Sequence, residues 1–482
     1  MAKIAPVSVN PKSAIRNPKL LVSLLLFLAA TASALDFPLL TPPPEMFQRH
    51  REKFLARMAP GSIAVFRAAP KRVMSNDVDY VYRQESNFYY LTGLEEPGAV
   101  AVFRPNAPDS KRFVLFLRPR NPRREAYEGP GPDVSDAVSR YGADAGFSSE
   151  EFLAKMTRYD STARAFSGYL VGVEKIYLSD AGDEGWSREF RAAIESMRSR
   201  EAGPATVVDA REIVHEMRVV KDSHEQALLR RATEISAKGH VRAMETTAPG
   251  RHEFEVQQAL DGYCHANGAV RMAYPSIVAS GPNSVFLHWE KNDRQMKDGD
   301  VLLNDSGAEY RYYATDITRT YPVSGRFTPE QRAIYEIVLA SQKEAMARVK
   351  PGVPHSEIET TAARVQTDGL LRLGLLSGDA ATLVRTNGHR RFTLHGVSHG
   401  VGLDVHDVGR YGNRPLEPGM TFTIEPGIYI PANTPGVDPK WWNIGVRIED
   451  VVLVTPDGYE CLSCAAPREA AEVERTVRGT AR

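Results

Sequence analysis

The chain has 482 residues, 42% hydrophobic and 25% charged, with 60 Lys+Arg against 60 Asp+Glu. That length is too great for one ordinary hydrophobic core and points to two domains. Balanced charge excludes the basic surplus of a nucleic-acid binder, and the composition is that of an average soluble protein without low-complexity blocks.

In chain order, Lys3, Lys12, Arg16 and Lys19 precede an apolar run over 20–30. Thr31-Ala32-Ser33-Ala34 then supplies a small-residue exit before the first acid, Asp36. This is the layout of a secretory signal peptide over 1–34. The run is near half of the roughly 20 apolar residues a spanning helix needs. The expectation is therefore export, periplasmic or secreted. A downstream start, an uncleaved segment anchoring the chain in a membrane, and an organelle transit peptide are the rival readings.

Residues 35–44 form a proline-rich, extended linker. Residues 45–58 read as a charged amphipathic helix stopped by Pro60-Gly61, and apolar runs at 62–66, 99–103, 113–117 and 175–178 read as strands. Helices fall near 149–157 and 187–199. Strands alternating with helices predict an α/β N-terminal domain over 45–212.

From 213 the character changes. Ser223 and Gln226 make a capping box for a helix ending before Pro249-Gly250, and a second helix covers 253–267. Thr328, Pro329 and Gln331 start another, which stops at Pro351-Gly352; Ser356 opens the next, closed by Gly374. Strands are expected at 301–305, 315–321, 420–425 and 444–454. Helices on an antiparallel or mixed sheet make 213–466 an α+β domain. The charged, alanine-rich tail over 467–482 reads as a frayed surface helix. Cys264, Cys461 and Cys464 are too few for a disulfide framework. The C-x-x-C pair would allow a local bridge in an exported chain, yet reads as two unremarkable cysteines near the end of the fold.

The chemistry gathers in this second half. Asp305 ends an apolar strand and Asp316 stands eleven positions on. A hairpin turning near Tyr310-Arg311 would set the two opposite each other on one face. Bare carboxylates so placed repel and lose hydration, costs that a shared cation removes. From these two residues alone, an ion pair with Arg311 or Arg319, or a surface turn, is equally open. His395, His399 and His406 then fall within twelve residues among glycines, a density that marks a site rather than a packed core. Glu425 ends a strand before Pro426-Gly427, and Arg447 and Glu449 share a face.

Taken in order, Asp305-Ser306-Gly307, Asp316-Ile317-Thr318-Arg319-Thr320, His395-Gly396-Val397-Ser398-His399, Gly402-Leu403-Asp404-Val405-His406-Asp407, Ile424-Glu425-Pro426-Gly427 and Arg447-Ile448-Glu449-Asp450 resemble the pita-bread metallopeptidases. Their closest branch here is Xaa-Pro aminopeptidase (aminopeptidase P), with prolidase next. The likeness extends upstream through 82–93 and 214–218. It implies an α+β pita-bread catalytic domain behind the α/β domain. It also implies two divalent ions, Mn²⁺ by resemblance, held by Asp305, Asp316, His399, Glu425 and Glu449, with Asp316 and Glu449 bridging. A water activated between the ions would attack the bond between a first residue and a following proline. Glu425 is implied as proton carrier and His288 as the histidine facing the tetrahedral intermediate. His395 and His406 would line the substrate side, Arg447 would bind substrate or only neutralise the carboxylates, and Asp77 would reach a neighbouring subunit's site. The family's N-terminal domains imply a homo-oligomer, dimer or tetramer. Asn304 and Gly400 depart from the family's apolar and bulky residues. The alternatives are a prolidase confined to dipeptides and a non-catalytic binding module, which would be expected to lose ligands.

Overall fold

The computed structural model describes residues 39–479, so the expected signal segment lies outside the described residues. Along Ser62–Arg67, Ala64 and Phe66 enter one apolar cluster while Ile63 and Val65 enter another. A strand buried on both faces needs cover on both sides. Phe54 of helix Pro44–Arg57 supplies it on one side. Phe152, Phe190 and Ile194 of helices Phe152–Thr157 and Glu184–Arg198 supply it on the other. This strand lies inside a six-stranded sheet ordered Thr206–Asp209, Lys175–Ser179, Ser62–Arg67, Val100–Phe103, Phe113–Leu117, Ala145–Ser148. It runs parallel to Lys175–Ser179 and antiparallel to Val100–Phe103. The two edge strands were not expected. They are short and only partly buried, and leave no apolar run to read.

The second body is helices on short antiparallel sheets, as expected. Its long helix, Ser223–Thr246, is capped one residue earlier than the sequence reading had it. Asp222 accepts from the amides of His224 and Glu225, and Glu225 reaches back to the Asp222 amide. A carboxylate accepting two amides wins over the adjacent serine. Thr328, Pro329 and Gln331 do start helix Pro329–Met346 as a capping box.

The hairpin turns where expected, with Arg311 and Tyr312 at φ 50° and 71°, but its register differs. Asp305 pairs with Thr318 rather than Asp316. The ladder is broken: Val301–Asp305 pairs with Thr318–Pro322, while Ala308–Tyr310 pairs with Tyr313–Ala314. Gly307 permits the crossing, because a Cβ there would collide with the Thr315 carbonyl oxygen. The strand expected over 444–454 is likewise two: Ile444–Arg447 pairs with Gly427–Ile430, and Asp450–Thr455 with Thr421–Ile424. Asp316, Glu425 and Glu449 therefore stand in the gaps where ladders part, and Asp305 at a strand end.

Two further expectations are corrected. Cys461 and Cys464 form a disulfide; the antiparallel strand Gly458–Cys461 ends in a turn that brings their Cα atoms to 5.6 Å, within bridging reach. The tail is not frayed: Ala470, Val473 and Val477 are buried along one stripe of helix Ala470–Arg478, which packs on Ser223–Thr246 and Thr318–Pro322. No helix among the described residues is long and apolar enough to cross a membrane.

Candidate metal centre

Asp305, Asp316, His399, Glu425 and Glu449 converge at one pocket of about 350 Å³, which Leu287, His288, His395, Ser398, His406 and Arg447 also line. Three sets of oxygen and nitrogen atoms cluster within 4.8 Å: Asp305, Asp316 and Glu449 in one, His399, Glu425 and Glu449 in another, and Asp316, His399 and His406 in a third. The first two share Glu449. His399 Nε2 stands 3.3 Å from Glu425 and 3.5 Å from Asp316, and the His399 and His406 rings lie 4.2 Å apart.

The charges in this cluster do not balance without a cation. Burial, then the charges of Asp305 and Glu425, push Asp316 well above the usual carboxylate range. Burial, then Asp316 and Glu425, do the same to Glu449. Glu425 is pushed up to about 7, chiefly by burial. Asp305 alone is lowered: burial pulls upward, but the Arg447 guanidinium, which donates to Asp305 at 2.5 Å, and the hydrogen bond from Tyr274 act together to outweigh it. Glu449 Oε2 accepts from Thr318 Oγ1 at 2.8 Å, whereas its Oε1 is buried without a hydrogen-bond partner. An orphaned carboxylate oxygen aimed into three other acids fits a divalent ion. Oxygen ligands with one imidazole suit Mn²⁺, Fe²⁺, Co²⁺ or Zn²⁺.

The surroundings fix these side chains. The Glu425 amide donates to Val397 O and the Thr423 amide to His399 O, so the histidine segment is stitched along Thr421–Ile424. His395 Nε2 lies 2.7 Å from the Tyr429 hydroxyl, which also accepts from Arg447 at 2.8 Å. Burial, then Arg447, lower His395 to about 4, so it is neutral near pH 7. His288 is exposed at the pocket wall. Asp77 is not brought to this pocket; it is exposed in the turn between Val73–Ser75 and Val78–Asp79 of the first body. Asn304 is buried and bonded to Ser306 and Tyr321, and a Cβ on Gly400 would stand 2.6 Å from the Tyr411 hydroxyl, so Tyr411 fills the place of the missing side chain.

Sequence reading missed Tyr274. Its hydroxyl donates toward both Asp305 at 2.6 Å and Asp316 at 2.5 Å, and Met272-Ala273-Tyr274-Pro275 carries no motif that would reveal it. It also missed what the stretches 82–93 and 214–218 do. Arg83 donates to Leu403 O at 2.6 Å, Ser86 to Asp404 at 2.6 Å, and Arg218 to Asp404 at 2.6 Å and to Asp407. Arg83 and Ser86 of the first body, with Arg218 of the second, thus grip the loop that presents His406.

The model of metallopeptidase family M24 matches residues 227–456, and that of the aminopeptidase P N-terminal domain matches 47–165. The chain is 39% identical to the Xaa-Pro aminopeptidase of Escherichia coli K12, over 89% of this chain and 96% of that one. Among solved structures, Pseudomonas aeruginosa aminopeptidase PepP superposes with a TM-score of 0.86 at 39% identity, over 92% of this chain and all of that one. Aminopeptidase P from E. coli with the inhibitor Pro-Leu superposes with a TM-score of 0.86 at 38% identity, over 92% and 100%. The chain belongs to the aminopeptidase P branch of the M24 metallopeptidases and has their pita-bread fold.

Proposed function

We propose that this chain is a metal-dependent Xaa-Pro aminopeptidase, which removes the first residue of a peptide whose second residue is proline. The observation that carries the reading is the pair of overlapping ligand sets that share Glu449, with its orphaned buried oxygen. Asp305 would hold one ion, Asp316 and Glu449 would lie between two, and His399 and Glu425 would complete the second; the ligand set suits several divalent ions, and Mn²⁺ is chosen among them on the resemblance to the family. Such ions would acidify a water and polarise the scissile carbonyl.

The chain's own residues supply the rest. Glu425, a carboxylate that lines the pocket beside His399, suits a proton carrier from the water to the leaving proline nitrogen. That nitrogen belongs to a tertiary amide and has no proton of its own. His288, at the pocket wall, would donate to the oxygen on which negative charge develops. His395, held neutral against Tyr429, and His406, on the loop that Arg83, Ser86 and Arg218 hold, would line the substrate side. Arg447 spends its guanidinium on Asp305, Tyr429 and Thr318, which supports neutralising the cluster over touching substrate.

Export rests on the segment over 1–34. Self-association, with Asp77 reaching a neighbour's site, is supported by the exposed Val73, Met74, Val78, Tyr80 and Val81 around that residue. The deciding experiment compares an Xaa-Pro-Yaa tripeptide with an Xaa-Pro dipeptide on metal-stripped protein, before and after Mn²⁺. Metal-dependent release of the first residue from the tripeptide is expected. Cleavage of the dipeptide alone would make the chain a prolidase, and cleavage of neither would remove the peptidase reading.

A further inference from the structure

Beside the pocket, on the far side of Glu449, Arg319 and Asp450 form an ion pair at 2.7 Å in which both side chains are fully buried. Arg319 does more than balance Asp450. Its Nη1 donates to the Glu449 carbonyl at 2.5 Å and to Thr318 O at 3.0 Å. Its other nitrogens donate to the carbonyls of Ser463, Ala466 and Pro467. One guanidinium thus ties the backbone of a candidate bridging ligand to the segment 463–467.

That segment follows directly from the disulfide-closed turn. Cys461 pairs with Val452, the Leu462 amide donates to Val451 O at 2.9 Å, and Ser463 Oγ accepts from the Val451 amide at 3.0 Å while donating to Asp450 at 2.6 Å. Ser463 is buried, whereas both cysteines are partly exposed and accessible to a reductant. A guanidinium buried this deeply keeps its place only while its carbonyl partners keep theirs. Three of those partners depend on how the turn closes.

We propose that the Cys461–Cys464 disulfide is a redox-sensitive brace of the metal site, which holds Ser463, Ala466 and Pro467 against Arg319 and through it positions Glu449. Arg319 and Ser463 are positioning residues, and the inference rests on the metal-site reading above. Reduction by a dithiol moves two electrons and two protons: the S–S bond breaks, Cys461 and Cys464 become thiols, and the reductant becomes its own disulfide. A loop this short constrains the unfolded chain less than a long one does, so the brace is read at the site, by metal affinity and local exchange, rather than from the melting temperature.

The test uses the full chain, oxidised or reduced with dithiothreitol and then desalted without air, together with a Cys461→Ser/Cys464→Ser variant. Mn²⁺ affinity is measured by calorimetry, and backbone amide exchange is measured on the metal-free protein. Reduction should weaken Mn²⁺ binding on the order of tenfold, the size usual for losing a group that orients a ligand. It should also speed exchange at 449–451 and 461–466. The double variant should match the reduced chain and no longer respond to dithiothreitol. Equal affinity and equal exchange in both redox states would overturn the brace, as would an undiminished response in the double variant, which leaves only Cys264 to react. No Mn²⁺ uptake by the oxidised chain would instead overturn the metal reading, and exchange in the metal-free protein would still decide whether the brace exists.

Discussion

At the scale of single residues, the site is a problem of charge, and Tyr274 shows how the chain manages it. Its hydroxyl is shared by Asp305 and Asp316. Replacing Tyr274 with Phe removes that shared donor, a loss of about 1–3 kcal/mol. Bound ions would replace most of the lost stabilisation. The Tyr274→Phe chain should therefore melt earlier without metal, and its gain in melting temperature on adding Mn²⁺ should exceed that of the parent. An equal gain in the two proteins would place Tyr274 outside the cluster's electrostatics. His288 makes a contrasting case, being exposed at the pocket wall and absent from all three ligand sets there. His288→Ala should keep its metal content and lose about a hundredfold in kcat, the size of removing one donor to a developing oxyanion; unchanged turnover would refute the role. The five candidate ligands were legible because each sits in a short phrase of fixed order. Tyr274 was not, since a hydroxyl that reaches the cluster from a bend between two other strands leaves no spacing in the sequence.

At the scale of elements, the ligands stand where ladders part, and glycine makes one of those breaks. Gly307 passes so close to Thr315 O that Gly307→Ala must push the two segments apart, and the Asp305–Asp316 geometry with them. This substitution should destabilise the chain by about 1–3 kcal/mol or more, as overpacking does, and should weaken Mn²⁺ binding in whatever fraction folds. Parent-like melting and affinity would mean that the crossing is looser than its contacts indicate. Helices were readable from caps and periodicity, as at Thr328. The sheets were readable as apolar runs but not in register: a run over 444–454 looks like one strand, and only pairing reveals that it changes partner at Ile448-Glu449. The tail was misread because alanine and charge dominate its composition. Its burial rests on a three-residue stripe, Ala470, Val473 and Val477, whose partners lie on other elements.

At the scale of the whole molecule, the two bodies share an apolar cluster that includes the stacked Tyr89 and Tyr312 rings, and they also meet through polar contacts, one of which titrates. His50, in the first body, is buried with its ring stacked 3.8 Å from Tyr90. Its Nδ1 donates to Tyr90 O at 2.9 Å, and its Nε2 faces Asp222 at 3.4 Å and Glu225 at 3.5 Å, both at the cap of the second body's long helix. Arg49 also reaches Asp222, and the Tyr313 hydroxyl donates to the other oxygen of Glu225. Burial works against charging the ring, but the two carboxylates outweigh it and raise His50 from 6.5 to about 9. A raised folded-state value means that the contribution is complete below about 6.5 and is lost as pH climbs through about 9. The shift is worth on the order of 3 kcal/mol. His50→Gln should therefore be less stable than the parent by most of that amount at pH 6 in urea unfolding, with the difference shrinking steadily to pH 10. Tyrosines and lysines that titrate over the same range do so in both proteins and cancel in the comparison. A difference that stays constant with pH would show that His50 contributes by packing on Tyr90 alone. The same helix carries His240, whose Nε2 lies 3.0 Å from Ser306 O beside Asp305, so loosening its capped end should reach the metal site as well. Mn²⁺ affinity of the parent should fall above pH 9 more steeply than that of His50→Gln, in which the latch is already open.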